Sequence, residues 1–544
     1  MKVGGKVLSR PLGVLCLMAS LIPARADVPD FQWVRTAGES LIAAEVGFCV
    51  TADALGNSYV GGYFNSTNFQ IGGFLLTNSR PSFREAFVAK YDPAGTVLWA
   101  KSFHGTNDDS GRSIANDNQG NCYVAGSFAS PHLFLDDVTL TNHGPAGNNA
   151  LFVAKLDSLG NLLWARTADR GNYQAGAGIA VDANGNCYVT GTIKGTNTFN
   201  GTNLISHVTY TDVLLLKYDT DGHLLWVQQA GGSYVDSATG VAVDGSGNAC
   251  LLANIRSTNA AFGSFVLSVG GTNTDQDMVI AKYDPAGSVL WAKRYGGTDI
   301  DTGRGIALDG DGNCYFAGEY ISSNFVFGGT ALVKTSPFFG DLYLAKIDIN
   351  GDPLWVREVH GSDIDSISGV AVDFLGNSYI AGFFRSPTLM FDGLTITNTD
   401  EALPGTADVF AAKFDPEGNR LWVVQPKGPV EQEALAIALD ADANAYITGF
   451  TMGTNVLFGS IAVTNSYIDL FVAKLESDYP RLQIELAGSQ PILSWPSNKT
   501  GFTLESTSDF NNWMPFTGSV GVLNNRYWAT NDLPDNFRFF RLRK

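Results

Sequence analysis

Positive charge is scarce in this sequence. Lysine and arginine number 35 against 53 aspartates and glutamates, the net charge is −18, and charged residues of both signs make up only 16% of the 544 positions. A surface this acidic repels phosphate backbones and anionic lipid, which argues against nucleic acid as a partner. Cysteine is rarer still, at six. The five beyond the N-terminal segment, Cys49, Cys122, Cys187, Cys250 and Cys314, are an odd number and cannot all be paired. The six histidines, at 104, 132, 143, 207, 223 and 360, show no H-x-H or H-E-x-x-H spacing of the kind that holds a metal. There is no G-x-S-x-G, no catalytic Cys–His pairing and no phosphate loop. No apolar run is long enough to cross a bilayer, and no stretch shows helical periodicity.

The N-terminus has its own pattern. Lys2, Lys6 and Arg10 precede the short apolar stretch "LGVLCLMASLIP", and "ARA" ends at Ala26 in a small-x-small cleavage pattern. This is the form of a secretory signal peptide over residues 1–26 and predicts a secreted or cell-surface protein. Leu15 is too large to precede a lipidated Cys16. Removal of the segment takes four of the 35 basic residues and leaves 31 against 53 acidic, or −22.

What the chain does have is glycine, 61 residues of it, and a composition that is 45% hydrophobic and 12% aromatic, the balance of a turn-rich β protein. It also has a repeat. "YDPAGTVLWAK" begins at Tyr91 and "YDPAGSVLWAK" at Tyr283. Trp33, Trp99, Trp164, Trp226, Trp291, Trp355 and Trp422 recur every 62 to 67 residues. Nine positions before each of the last six stands a lysine, from Lys90 to Lys413, and Lys474 is a seventh with no tryptophan after it. A D-x-x-G-N type block recurs in step, from Asp53–Asn57 to Asp440–Asn444. Each copy reads as four strands joined by type I turns whose fourth residue, glycine, takes a positive φ without strain. Seven four-stranded copies predict a seven-bladed β-propeller over residues 27–478. The first tryptophan lacks a lysine strand before it and the last lysine strand lacks a tryptophan strand after it. The N-terminal strand is therefore expected to complete the last blade and close the ring.

"DVFAAKFDPEGNRLW" and "GIAVDANGNCYVTG" resemble the bacterial seven-bladed β-propeller repeat (SBBP) family, and the resemblance covers about residues 31 to 478. It implies exported, repeat-built bacterial proteins and no shared catalytic activity. From about Pro480 the period stops. Residues 479–544 alternate as a small β-sandwich, and "FTLESTSDF…W" with the terminal "FFRLRK" is similar to C-terminal β modules of other exported bacterial repeat proteins.

A group present in every blade solves a packing problem that occurs in every blade. The K-x-D pairs, at i and i+2 on one strand face, read as architectural ion pairs, and the tryptophans as inter-blade packing. The D-x-x-G-N turns lack the late bidentate acid of a calcium loop. Cys122, Cys187 and Cys314 share a column filled elsewhere by serine or alanine, which predicts buried thiols rather than disulfides. Two features vary between copies. The segments between second and third strands differ strongly, as ligand-binding loops do. Ten residues after tryptophan stand Asp109, Asp236, Asp301 and Asp365, replaced by Gln174, Gln432 and Ala43 in the other blades; two residues earlier come Asn107, Asp299 and Asp363. Asp109, Asp236, Asp299, Asp301, Asp363 and Asp365 form the candidate cation site, at the mouth of the channel on the long-segment face. Calcium is the ion that suits it, and loop capping is the alternative. No other cofactor is expected. The chain reads as a monomeric, non-catalytic binding or surface-scaffold protein for an extracellular protein or polysaccharide. The alternatives are a propeller enzyme, either a polysaccharide hydrolase or lyase or a quinoprotein-like oxidoreductase, and a purely structural envelope component.

Overall fold

The computed structural model describes residues 28–479 except 39–42, 207–208, 273 and 399–404, together with the strands between 483 and 543. The expected signal peptide lies outside the described residues. One compact unit spans Pro29–Glu476, and a second contains Ser477–Lys544. Every regular element is a β-strand. Among the described residues no helix is long and apolar enough to cross a membrane.

The larger unit is a seven-bladed β-propeller. Blade 1 orders its antiparallel strands Glu45–Ala52, Ser58–Phe64, Glu85–Tyr91 and Val97–Phe103 from inside to outside. Blades 2 to 6 repeat the order from Asp109, Arg170, Asp236, Asp301 and Asp365. Blade 7 consists of Gln432–Leu439, Ala445–Phe458 and Ile461–Leu475, and its outer strand is Phe31–Ala37, with Trp33 opposite Lys474. The N-terminal strand thus closes the ring, and the inner strands of blades 7 and 1 pack together as those of every other adjacent pair do.

The core lies between blades. Trp33, Tyr446, Leu470 and Val472 of blade 7 share a buried cluster with Val50, Val60, Phe64 and Phe87 of blade 1. The repeated residues hold the blades together by hydrogen bonds as well. The Trp33 indole donates to the Pro93 carbonyl of the next blade (3.0 Å), and Trp99 does the same to Ser158 (3.1 Å). The Tyr446 hydroxyl donates to the Gly56 carbonyl across the closure (2.7 Å), as Tyr123 does to Gly185 (3.0 Å). Gly95 serves both the turn and the packing. Its φ is +81°, and a Cβ there would sit 2.7 Å from the Trp33 ring.

The lysines depart from expectation. Lys90 pairs with Asp53 of the neighbouring turn (3.9 Å), not with Asp92 two residues on. Asp92 instead accepts the Ala94 and Thr96 amides of its own turn, at 2.9 and 2.8 Å, and so is turned away from the strand. Lys155–Asp117 and Lys346–Asp309 repeat the pairing. The five cysteines are free and buried, and burial raises their thiol pKa values.

The variable segments are also structural. Each described hairpin places apolar residues such as Phe69, Leu133, Phe262 and Phe391 in the core. Several clasp the preceding blade: Phe134 bridges His104, Ala261 bridges Gly231 and Leu457 bridges Lys427.

The smaller unit is a β-sandwich. A four-stranded sheet (Gln483–Ala487, Gln490–Pro496, Arg526–Thr530, Ser519–Leu523) faces a three-stranded one (Met514–Pro515, Thr503–Thr507, Phe539–Arg543). Leu493, Trp495 and Ala529 of the first meet Leu504 and Leu542 of the second in one buried cluster.

Candidate functional site

Strands alternate in direction, so the short turns gather on one face of the ring. The long segments and the connections between blades gather on the other. The inner strands line the channel, and each carries a β-bulge at the same place. Pairing with the second strand skips one residue: Phe48, Arg112, Ala177, Thr239, Arg304, Ser368 and Leu435 in blades 1 to 7. A bulged residue has no partner in the ladder and its side chain is re-aimed. All seven border one cavity of about 820 Å³, which also takes residues from the blade connections (Ile300, Asp363, Ile364) and from the long segments (Phe338, Phe339). It therefore opens on the long-segment face, and its volume is that of a ligand site.

The ring is chemically uneven. Arg304 donates to Glu319 (3.0 Å), whose two oxygens also accept Thr302 of the same blade and Ser366 of the next (both 2.5 Å). That group is neutralised and tied across two blades. Among the described residues Arg112 has no acidic partner; it lies over the Phe48 ring (4.6 Å). Phe48 contacts Tyr63 (5.4 Å between centroids), and Arg84 covers Tyr63 (4.5 Å). Burial within the channel wall, then the Arg84 charge, push the Arg112 pKa down. Apolar Ile300, Ile321, Ile364 and Phe338 stand on blades 5 and 6; Phe338 is 83% exposed. Among the described residues that line the cavity there is no histidine or cysteine.

The predicted acids are placed otherwise. Asp236, fully buried, accepts the Arg256 and Ser257 amides on Oδ1 (3.0 and 3.2 Å) and the Ser257 hydroxyl and Gly232 amide on Oδ2 (both 2.7 Å). Asp301 repeats this with Ile321, Ser322 and Gly297; Asp365 uses Arg385 and Ser386, and Asp109 uses Ala129 and Ser130. Each ties the start of its inner strand to the start of the long segment of the same blade, so their oxygens are spent on loop capping. Asp299 and Asp363 accept the next residue's amide, at 2.9 and 2.8 Å. Only Asp363 and Asp365 of the six border the cavity. Among the described residues no three His, Cys, Asp or Glu side chains gather where they could hold a metal ion. The blade 1 member of the column is Glu45, not Ala43: Glu45 pairs with Phe64 as Asp109 pairs with Phe128. Two extra residues before the strand displace it from the tryptophan spacing. Burial pushes the carboxyl pKa values of Glu45 and Asp109 up to about 7 and that of Asp365 to about 6.

Comparisons with known proteins give distant likenesses. No family model matches the chain. An uncharacterised WD repeat-containing protein of Acanthamoeba polyphaga mimivirus is 24% identical over 81% of the chain, which spans 38% of that protein. Regulatory protein FlaEY of Caulobacter vibrioides is 28% identical over 34% of the chain and 19% of its own length. The chain thus spans less than two fifths of either curated relative. Among solved structures, the Pan2 WD40 domain of Neurospora crassa matches 79% of this chain and 89% of its own at 9% identity, with a TM-score of 0.40. Puromycin hydrolase matches 83% of this chain and 59% of its own at 12% identity, with a TM-score of 0.41.

The residues that sequence reasoning missed are Phe48, Arg84, Arg112, Arg304 and Glu319. One signal was present. Three positions beyond the Asp/Gln column the repeats carry Phe, Arg, Ala, Thr, Arg, Ser and Leu, a mixed set inside a strand whose neighbouring columns are small or aliphatic. The bulge hid its meaning, because strict alternation does not predict which residue is re-aimed.

Proposed function

We propose that this chain is an exported, non-catalytic propeller that binds an extracellular partner at the mouth of its central channel and serves as a surface scaffold. The partner is a segment of protein chain, with polysaccharide as the competing class. The observation that carries the reading is the uneven ring of bulged residues around an 820 Å³ cavity in an otherwise sevenfold frame. Repetition accounts for everything needed to build the ring, so the positions that break it are free to serve a ligand. A relative named for its WD repeats fits a scaffold role. The resemblance to SBBP proteins and the N-terminal pattern of residues 1–26 support export.

The test is retention of the purified full chain on the extracellular fraction of its own source. Ala177→Trp places an indole among the bulged residues and should abolish retention while leaving the melting temperature unchanged. Leu55→Asp with Leu159→Asp, both on the short-turn face, should leave retention intact. Equal retention by the Ala177→Trp variant would refute the channel reading. One observation favours an enzyme instead: Glu433 is pushed up to about 7 by burial and by Glu431 beside it, and both share Arg385. Turnover of the retained material that Glu433→Gln abolishes would replace the binding reading.

A further inference from the structure

We propose that Arg84 and Arg112, between blades 1 and 2, seat a carboxylate of the partner, and that the partner presents it on an acidic segment of protein chain that also carries apolar side chains. This rests on the reading of the channel mouth as a binding site.

Four observations converge. First, basic residues are outnumbered 35 to 53, and most of those near the blades are engaged. Lys90, Lys155 and Lys346 are paired, Arg304 holds Glu319, and Arg385 holds Glu431 and Glu433. Among the described residues the Arg84 and Arg112 guanidinium groups make neither an ion pair nor a hydrogen bond; the Arg84 backbone donates its amide to Asp108 Oδ1 and accepts the Asp109 amide on its carbonyl. Second, both are held in place. Arg112 lies over Phe48 and Arg84 over Tyr63, and the two rings touch. A guanidinium stacked on a ring keeps its N–H groups in its own plane, aimed past the ring edge, where a carboxylate can be met in fork geometry. Third, the two cations sense each other: Arg84 contributes to the lowered pKa of Arg112. Two like charges held close repel, and an anion between them removes the repulsion. Fourth, Arg112 and a set of apolar side chains share the cavity: Arg112 stands on blade 2, and Ile300, Ile321, Ile364 and Phe338 stand on blades 5 and 6 beside the Arg304–Glu319 pair and Asp363. Arg84 lies outside the lining and joins Arg112 through the Phe48–Tyr63 contact.

The fourth observation selects the class of ligand. A uronic acid oligosaccharide offers carboxylates but no apolar side chains, and it stacks on bare aromatic faces. Here one face each of Phe48 and Tyr63 is already covered by a guanidinium. A peptide that alternates acidic and apolar residues satisfies both walls.

The test uses the full-length chain and a fluorescent peptide, acetyl-Asp-Phe-Glu-Ile-Asp-Phe-Glu, beside its neutral Asn/Gln counterpart and octagalacturonate. The acidic peptide should bind about tenfold tighter than the neutral one, and more weakly as salt rises from about 50 to about 500 mM. Arg112→Gln and Arg84→Gln should each cost about three- to tenfold, and the double variant should erase the preference. Melting temperatures should move little, because among the described residues neither guanidinium holds a hydrogen bond or an ion pair and a ring contact adds only a small stabilisation. Equal binding of both peptides, or a preference that survives the double variant, overturns the carboxylate seat while the channel reading stands. Arginine-dependent binding of octagalacturonate alone overturns the protein class, and no binding of any probe overturns the inference. Failure of the channel reading is seen separately, as retention and peptide binding that both survive Ala177→Trp.

Discussion

On the short-turn face the seven blades carry nearly the same groups: tryptophan, tyrosine and lysine donate to carbonyls of the next blade, and the lysine also pairs with the aspartate of its own blade. On the channel face, three residues into each inner strand, the same seven blades carry six different residue types. The first region is uniform because its contacts are mutual. A change in one blade is felt in the next, where a carbonyl loses its donor. The second region is free to vary because a bulged side chain has no partner in the ladder and borders the cavity. Uniformity marks where the ring is made, and variation marks where it can be used.

The largest test of this contrast is the closure. Deleting residues 28–40 from the full chain removes the outer strand of blade 7, opens the edge of Ile461–Leu475 and strips Trp33 from the cluster it shares with blade 1. Cooperative thermal unfolding, followed by circular dichroism, should be lost. An unchanged melt would mean that the seventh blade does not depend on its N-terminal strand.

Next in size is the lattice of the turn face. Lys90 and Asp53 are each 6% exposed. Asp53→Ala leaves a buried ammonium without its partner and should cost about 3 kcal/mol in urea unfolding. Ser368→Ala at a bulged position should stay within about 0.5 kcal/mol. Equal costs would erase the distinction between the two faces.

The buried acids at the start of inner strands (Glu45, Asp109, Asp365) and of third strands (Asp212, Asp277) predict a pH dependence. Burial raises Glu45 and Asp109 to about 7, and Asp212, Asp277 and Asp365 to about 6. Their folded pKa values lie above the unfolded values near 4, so between these limits the folded state binds more protons than the unfolded one. Stability is therefore greatest at the acid end of the window and falls as the pH rises through 6 and 7. The melting temperature should be higher near pH 5 than near pH 8. Asp365→Asn should flatten that difference by roughly 1–2 kcal/mol. A melting temperature that rises with pH would show that these carboxyls are ionised without penalty.

The smallest test compares two copies of one residue. Trp355 donates its indole N–H to the Pro416 carbonyl (2.9 Å), whereas the buried Trp422 indole nitrogen has no partner among the described residues. In blade 7 the chain ends its third strand at Leu475, and the outer strand comes from Phe31–Ala37, so no turn joins the two there. Trp355→Phe should cost about 1 kcal/mol more than Trp422→Phe.

Much of this architecture was legible. Blade number, strand order, closure and the extent of the repeat all follow from the spacing of Trp33 to Trp422 and Lys90 to Lys474. Other readings failed for local reasons. Lys90 and Asp92 share a strand face, but Asp92 is claimed by its turn amides, and the lysine turns to Asp53 from a different part of the chain. Asp236, Asp301 and Asp365 each begin an inner strand, and only Asp365 of the three borders the cavity. Their oxygens, however, meet amides and serine hydroxyls about twenty residues further on, a pairing that the repeat period does not encode. Glu45 was missed because an insertion of two residues breaks the count from Trp33. The hairpins look like free loops in sequence, since only alternate residues such as Phe69 and Leu133 face the core.

The sequence by itself determined the ring. Seven copies of the same turn and packing residues repeat one set of short-range preferences, and repetition makes a periodic pattern readable without coordinates. Only the tertiary structure decided what the ring presents. A one-residue bulge in each inner strand re-aims Phe48, Arg112, Arg304 and their counterparts toward the axis. The convergence of seven distant chain segments on one channel is a consequence of closure, so no local stretch of sequence carries it.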